Sequence, residues 1–181
     1  IGSRGSKLSL AYANKVKNLI SNVDKITGNK IKIEVIKTSG DLFKDKKISE
    51  IGGKNLFCKE IEDKLIKKEI DIAIHSLKDM DSIETEGLVI KAYIERNDPR
   101  ESFVSKKYSK LSEAKNARIG SSSRRRELQI KLMNQNIEVE SIRGNIDTRI
   151  KKMENGEYDG VILALAGLNT LNLNHHAKEI F

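Results

Sequence analysis

The sequence has little cysteine and no long apolar run. One cysteine, Cys58, among 181 residues excludes a disulfide within the chain and favours a reducing compartment, so we expect a cytoplasmic protein. With three histidines, that cysteine forms none of the usual zinc-binding spacings. No stretch approaches the roughly 18 to 20 apolar residues of a membrane span. No signal peptide or lipidation motif opens the sequence, and we expect no membrane attachment.

Aromatic residues are also scarce: there are four Phe, four Tyr and no Trp. They do not alternate with the basic residues, which counts against stacking on single-stranded nucleic acid. The hydrophobic share of 38% recurs with clear periodicity, so the chain is folded rather than disordered. A nucleic-acid binder is therefore a rival supported only by the net charge of +8, and we expect no nucleic-acid partner.

The positive charge is densest in residues 115–152, which carry 10 basic and 4 acidic side chains. A basic cluster of this kind serves nucleic acid, an acidic membrane surface or small anionic ligands. The scattered lysines outside this segment are typical of a solvated surface. The arginines are more informative, because they bunch at particular turns.

Strand and helix patterns alternate along the chain. Continuous apolar strands followed by amphipathic helices predict an α/β fold with parallel sheets covered on both faces. The segment 94–99 contains Pro99, the only proline, and we interpret it as a crossover between domain one, residues 1–95, and domain two, residues 96–181, around a cleft. Further expectations are strands at 71–75 and 88–94 and a mobile loop at 40–53.

The chemistry-bearing residues follow the predicted strands. In open α/β sheets, ligands bind outside the carboxyl ends of the strands. Three clusters fall there: Arg4-Gly5-Ser6, then His75-Ser76-Leu77-Lys78-Asp79, and then Gly120 to Arg126 (GSSSRRR) with Arg143 and Arg149 beyond it.

The third cluster predicts an anion pocket. A helix start leaves backbone N–H groups unpaired at a positive dipole end. Serine hydroxyls there either cap the helix or donate to an anion. Arg125 and Arg126 add planar forks suited to carboxylates. The alternative is that Ser122 or Ser123 is an ordinary cap and the arginines pair with surface acids.

The second cluster offers adjacent acid and base groups. An aspartate in a positive cleft stays ionised, so Asp79 beside Lys78 can stabilise a developing cation or carry a proton to a leaving amine; a salt bridge within a turn is the alternative. We interpret His75 as a structural residue and Cys58 as a packing thiol. The GGK sequence at 52–54 lacks the remainder of a phosphate loop and does not support a nucleotide site.

Six motifs in order make the sequence resemble the porphobilinogen deaminase (hydroxymethylbilane synthase) family along its whole length: Arg4-Gly5-Ser6, GGKNLF at 52–57, HSLKD at 75–79, GSSSRRR at 120–126, RGNIDTR at 143–149 and GEYDGVILALAGL at 156–168. The resemblance implies three domains, the first two like periplasmic binding proteins. It implies a transferase of haem biosynthesis that joins four porphobilinogen molecules head to tail, with release of ammonia. It further implies a dipyrromethane cofactor bound to a cysteine of domain three.

The resemblance assigns roles to matching positions. Asp79 is similar to the catalytic aspartate that faces the pyrrole N–H groups. The implied cofactor contacts are Ser76, Lys78, Ser121, Ser122, Ser123, Arg125 and Arg126. The implied contacts to porphobilinogen and the growing oligopyrrole chain are Arg4, Ser6, Arg143, Arg149, Lys54 and Asp41. We expect no metal.

The sequence departs from the family pattern in three ways. Arg124 replaces a usual apolar residue, and Asp81 replaces a usual proline. The chain starts at Ile1 and stops at Phe181, so we expect domains one and two of a longer monomeric enzyme. The (α+β) third domain and its cofactor cysteine are then expected to be absent from this chain. Cys58 does not match that cysteine. We expect this fragment alone to be inactive, and a non-catalytic binder of small carboxylate ligands is the alternative function.

Overall fold

A computed structural model describes residues 1–24, 30–42 and 56–181. Its contacts divide the chain into two compact units, residues 1–94 and 95–181, which are described separately below. None of the helices in the described ranges is long and apolar enough to cross a membrane.

The first unit is built on a two-stranded parallel sheet. Strand β1 (Gly2–Arg4) pairs with β2 (Glu34–Ile36). Helix α1 (Lys7–Asp24) lies between them in sequence, followed by the short α2 (Ser39–Leu42) and by α3 (Lys59–Ile66). A small buried cluster joins β2 to α3 and the segment after it: Ile36, Ile61 and Ile70.

Two expectations for the first unit need correction, and a third is tested at only three of its residues. Residues 71–75 form no strand, because the backbone beside β1 makes only a single parallel bridge, between Gly2 and Ala73. Residues 88–94 are described and carry no regular structure; Val89 and Tyr93 are 59% and 71% exposed, so this segment has no buried face to pair. The loop expected at 40–53 begins inside α2, and residues 43–55 lie outside the described ranges.

The second unit is a five-stranded mixed sheet in the order β5-β4-β6-β3-β7. Its strands are β3 (Glu101–Val104), β4 (Arg118–Gly120), β5 (Glu138–Glu140), β6 (Gly160–Ala164) and β7 (Ala177–Ile180). Strand β4 is parallel to β5 and β6, as predicted, whereas β3 is antiparallel to β6 and β7. The expectation of a purely parallel sheet is therefore wrong, because the pattern of alternating strands and helices did not include β3 and β7.

Both faces of this sheet are covered, as the continuous apolar strands predicted. Neighbouring strand residues point to opposite faces. Phe103 and Ile162 pack in a cluster with Ile130 of α4 (Arg124–Met133). Val104, Val161 and Leu163 pack with residues of α5 (Ile146–Glu154) and α6 (Leu165–Thr170). The sheet thus fixes the two turns, from β4 to α4 and from β5 to α5, that carry the arginines.

The core of the second unit gives a direct test of its packing. Ile119 on β4 is fully buried, whereas Leu132 on α4 is 77% exposed. We expect Ile119→Ala to lower the free energy of unfolding by about 2–5 kcal/mol, because it removes buried methyl groups and leaves a cavity. Leu132→Ala is the matched control and should change it by less than about 0.5 kcal/mol. Urea denaturation followed by circular dichroism measures both; equal midpoints for the two variants would contradict the described core.

Candidate functional site

Arg4, at the end of β1, is fixed by contacts on two sides. Its guanidinium forms an ion pair with Asp41 of α2, with Nη2 2.5 Å from Oδ1 and Nε 3.3 Å from Oδ2. Its Cζ lies 4.0 Å from the centre of the Phe57 ring, a cation–π geometry. The hydroxyl of Thr38 donates to Asp41 Oδ2 at 2.8 Å. Arg4 and Asp41, both predicted site residues, therefore lie in direct contact.

The electrostatics of this pair favour the ionised state. Burial raises the pKa of Asp41, but the hydrogen bonds from Arg4 and Thr38 outweigh it and hold the pKa below its usual value. Asp41 is thus a carboxylate that occupies the Arg4 fork. A ligand carboxylate that binds Arg4 must share this fork or displace Asp41.

Ser6 serves the fold as a helix cap. Its Oγ accepts a hydrogen bond from the backbone N–H of Ser9 at 3.1 Å, and its carbonyl accepts from Leu10 at 2.9 Å. These contacts satisfy the first N–H groups of α1. Ser6 also lies directly after the strand end that carries Arg4, so the cap sets where α1 begins relative to Arg4.

The Asp79 cluster lies on a single 3₁₀ turn, Leu77–Asp79. The Asp79 N–H donates to the Ser76 carbonyl at 2.9 Å, and the Met80 N–H donates to the Leu77 carbonyl at 3.2 Å. Ser76 and Lys78 are exposed, while Asp79 is half-buried. The turn therefore presents Lys78 to solvent and keeps Asp79 closer to the interior.

Cys58 and His75 lie behind this turn. Cys58 Sγ is 3.4 Å from the Asp79 carbonyl oxygen and 3.4 Å from His75 Nδ1. Burial raises the pKa of Cys58 to about 12, with the Glu62 carboxylate adding to the effect. The thiol is therefore protonated at neutral pH and is not a nucleophile, in agreement with the packing interpretation.

The His75 ring lies within electrostatic reach of both Arg4 and Asp79. Burial lowers the pKa of His75; the Glu62 and Asp79 carboxylates partly oppose this shift, and the Arg4 cation adds to it. His75 is thus neutral at pH 7. The first unit accordingly brings Arg4, Asp41 and the Asp79 turn into one neighbourhood, although the strand expected before that turn is absent.

In the second unit, the serines before α4 are engaged by the protein itself. Ser123 caps α4, its Oγ accepting from the Arg126 N–H at 3.4 Å. Ser121 Oγ accepts from the Ser123 N–H at 3.3 Å. The Ser122 hydroxyl donates to the Ile142 carbonyl, which joins this turn to the one after β5. The capping alternative is therefore correct for Ser123.

Arg126 is paired with a residue that the sequence analysis missed. Its Nε donates to Glu101 Oε1 at 2.8 Å, and its Nη2 lies 2.7 Å from Glu101 Oε2 in an ion pair, with both side chains mostly buried. Arg125 is 79% exposed, with Nη2 4.0 Å from Glu101 Oε1. Glu101 begins β3; the apolar Phe103 and Val104 after Pro99 were the signal of a strand in that segment.

Arg149 is the basic residue of the second unit whose pKa is shifted most. Its Nε donates to the Gly144 carbonyl at 2.8 Å. Gly144 has φ +111°, and a Cβ there would lie 2.7 Å from Thr148 Cγ2, so the turn requires glycine. Burial lowers the pKa of Arg149 to about 10, with the Arg126 and Arg143 cations adding to the effect. Arg126 and Arg143 therefore lie within electrostatic reach of Arg149, and the anion pocket stays a prediction.

We call Arg126, Arg143 and Arg149 the arginine cluster; of these, Arg126 lines a cavity of about 690 Å³. Arg96, Arg125 and Arg126 supply the positive groups of the cavity and Glu101 a carboxylate, while Pro99, Met133 and Phe181 are among its apolar groups. This volume is within the roughly 300–1,000 Å³ of small-molecule sites. The combination suits a ligand with apolar rings and carboxylate arms. Lys54, the remaining predicted ligand contact, lies outside the described ranges.

The Arg4–Asp41 pair generates a pH-dependent prediction. Because the folded-state pKa of Asp41 is lowered, its stabilising effect is present above the unfolded-state pKa, near 3.8, and is lost as the pH falls through the folded value. We expect Asp41→Asn to reduce the free energy of unfolding by about 1 kcal/mol at pH 7 and by less below pH 4.

Asp71→Asn is the matched control, since Asp71 is an exposed residue of the same unit. Urea denaturation across pH 3–7 gives the comparison. A difference between wild type and Asp41→Asn that stays constant over this range would show that the carboxylate charge has no role in the pair.

Comparison with known proteins identifies the family of this chain. The family model for the porphobilinogen deaminase dipyrromethane cofactor-binding domain matches residues 1–181. The porphobilinogen deaminase of Sulfurimonas denitrificans is 41% identical over 182 residues, covering 100% of this chain and 58% of that protein. Those of Paracoccus denitrificans and Helicobacter acinonychis are each 44% identical, covering 98% and 96% of this chain and 57% and 56% of those proteins.

The chain thus spans little more than half the length of these curated relatives. The family-model match extends over both units. The chain belongs to the porphobilinogen deaminase family.

Proposed function

We propose that this chain is the ligand-holding part of a porphobilinogen deaminase, a transferase that condenses four porphobilinogen molecules head to tail with release of ammonia to give hydroxymethylbilane. The observation that carries the proposal is the convergence of Arg126, Arg143 and Arg149 in a chain of this family. The two units would correspond to the first and second family domains, with a boundary near residue 95 and a fold like that of periplasmic binding proteins. Longer members would add the third domain.

The charge of the ligand supports this assignment. Porphobilinogen carries two carboxylates on each ring, so every added ring needs more cationic side chains. Placing Arg149 near two other cations in a half-buried position costs free energy, in line with its lowered pKa of about 10. A bound carboxylate would offset that repulsion and form charge-assisted hydrogen bonds with the guanidinium forks. The arginine cluster is therefore suited to a polycarboxylate and not to a neutral ligand.

The residues also fit the dipyrromethane cofactor, which brings four carboxylates on two rings. Arg125 and Arg126 border the cavity of about 690 Å³ and would hold its carboxylates. Further proposed contacts, on the family resemblance alone, are Ser121, Ser122, Ser123, Ser76 and Lys78. When bound, the cofactor supplies the free pyrrole carbon to which the first substrate ring is joined. Cys58 is unsuited as its attachment point, because the thiol is fully buried and has a pKa of about 12.

Asp79 is proposed as the catalytic carboxylate. In the substrate, the bond between the aminomethyl carbon and its nitrogen breaks, the amine leaves as ammonia after it gains a proton, and the ring system keeps the positive charge. An ionised Asp79 held against the pyrrole N–H would stabilise that cation. Its half-buried position on the Leu77–Asp79 turn strengthens such an interaction relative to one in water.

The other predicted contacts divide by chemistry. Arg4, Arg143, Arg149 and Lys54 would hold the acetate and propionate arms of the substrate and growing chain, with Ser6 beside Arg4. The Asp41 carboxylate already forms hydrogen bonds with the Arg4 guanidinium. Its proposed role is therefore to orient that guanidinium and to give up some of these hydrogen bonds to the incoming ligand. This refines the expectation that Asp41 binds substrate directly.

A non-catalytic binder of small carboxylate ligands is the second candidate, because the arginine cluster by itself explains binding without Asp79. The two functions differ in ligand preference. A porphobilinogen deaminase should prefer porphobilinogen to an aliphatic dicarboxylate such as glutarate, since the pyrrole ring adds apolar contacts and an N–H donor. A simple carboxylate binder should not discriminate between them.

Isothermal titration of the 181-residue chain with porphobilinogen tests the proposal. We expect Arg149→Met to weaken binding about 10- to 100-fold, because it removes a charge-assisted carboxylate contact. Arg124→Met is the matched control, since Arg124 is 92% exposed on the same unit, and it should change affinity by less than about twofold. Equal affinity of wild type for porphobilinogen and glutarate would favour the second candidate; unchanged affinity in Arg149→Met would contradict the site.

A further inference from the structure

Cys58 occupies a position that its fold role alone does not explain. It precedes α3 and is fully buried, yet within the described part of the chain its side chain makes no capping bond to that helix. Sγ lies instead 3.4 Å from both the Asp79 carbonyl oxygen and His75 Nδ1. A buried thiol with two polar neighbours has one proton to share between them.

The chemistry of the neighbours decides where that proton points. The Asp79 carbonyl oxygen only accepts, so the thiol must donate to it, and the sulfur is then left to accept from His75. That requires the proton of the neutral imidazole to be on Nδ1. With the proton on Nε2, the thiol would have to turn to Nδ1, and the Asp79 carbonyl oxygen would lose its donor.

The other ring nitrogen points to the same tautomer. His75 Nε2 is buried and has no hydrogen-bond partner among the described residues. A proton on Nε2 would therefore be a buried donor without an acceptor, which adds a second loss to that arrangement. In the Nδ1–H tautomer, Nε2 carries only a lone pair and no proton. The sulfur then accepts from Nδ1–H and donates to the Asp79 carbonyl oxygen.

We infer that His75 and Cys58 form a hydrogen-bonded chain, Nδ1–H to Sγ–H to the Asp79 carbonyl oxygen, which positions the turn that carries Asp79. The turn needs such support. Ser76 precedes it without a side-chain cap in the described structure, and Ser76, Leu77 and Lys78 are exposed. The link to Cys58 thus ties the one half-buried residue of this turn to the start of α3.

The same segment also serves Arg4. Phe57, immediately before Cys58, lies beneath the Arg4 guanidinium at 4.0 Å. Two adjacent residues at the start of α3 therefore support the two chemistry-bearing groups of the first unit. Cys58 and His75 are positioning residues; the consequence for catalysis rests on the function proposed for Asp79, whereas the hydrogen-bonded chain does not.

Nitrogen-15 NMR of the 181-residue chain, labelled at histidine, tests the inference through the tautomer of His75. We expect wild-type Nδ1 to show the chemical shift of a protonated nitrogen and Nε2 that of an unprotonated one, at pH 7. Cys58→Val removes the donor and acceptor while keeping an apolar side chain, and should abolish this preference. Cys58→Ser keeps both functions and should retain it.

Amide hydrogen exchange supplies the second readout. In Cys58→Val we expect the Met80 amide, which closes the turn, to exchange about 10-fold faster than in wild type, with exchange in α5 unchanged. Cys58→Ser should restore it to within about threefold of wild type. The matched Val and Ser variants separate the hydrogen bonds from the filling of space.

Two results would overturn the inference: a wild-type His75 protonated on Nε2, or Met80 exchange that is the same in the Val and Ser variants. Neither result depends on porphobilinogen. If the NMR results hold while porphobilinogen fails to bind, the proposed function is wrong and the positioning chain stands. If porphobilinogen binds and the tautomer is Nε2–H, the function stands and the positioning chain is wrong.

Discussion

The second unit holds three arginine side chains, two of them within electrostatic reach of the third, and their repulsion is unfavourable. The rest of the structure depends on this constraint. Arg149 is half-buried within electrostatic reach of Arg126 and Arg143, and desolvation together with these cations lowers its pKa to about 10. The sheet makes this tolerable, because β4 and β5 are parallel neighbours and their following turns are fixed on a core packed on both faces. Glu101 pairs with Arg126 and lowers the repulsion within the protein. The remaining repulsion is what a polycarboxylate ligand would relieve.

The first unit uses the opposite arrangement. Arg4 is already satisfied by Asp41 and by the face of Phe57, so its position is set before any ligand arrives. The half-buried Asp79 is held on a short turn by backbone hydrogen bonds and by Cys58. The second unit therefore concentrates positive charge, whereas the first holds the half-buried carboxylate for which we propose a catalytic role.

Sequence patterns predicted the second unit better than the first for a physical reason. Strands such as β6 are buried on both faces, so their apolar runs are continuous and unambiguous. Strand β3 was missed because its four residues follow a proline-containing segment, and Glu101 was missed with it. The strands expected at 71–75 and 88–94 failed because an apolar pattern needs a partner strand, and among the described residues these two segments make one bridge, from Gly2 to Ala73. The arginine cluster was predictable because turns after parallel strands meet at one edge, whereas the contact of Cys58 with His75 depends on tertiary packing that no spacing reveals.

The central claim is that the arginine cluster, and not the general surface charge, holds the carboxylates of porphobilinogen. The most direct measurement is an NMR titration that follows the side-chain Nε–H signals of the arginines as porphobilinogen is added. The account predicts that the Arg126 and Arg149 signals shift together and saturate, while that of the exposed Arg124 does not move. Shifts of equal size at all three residues, or no shift at Arg149, would contradict it.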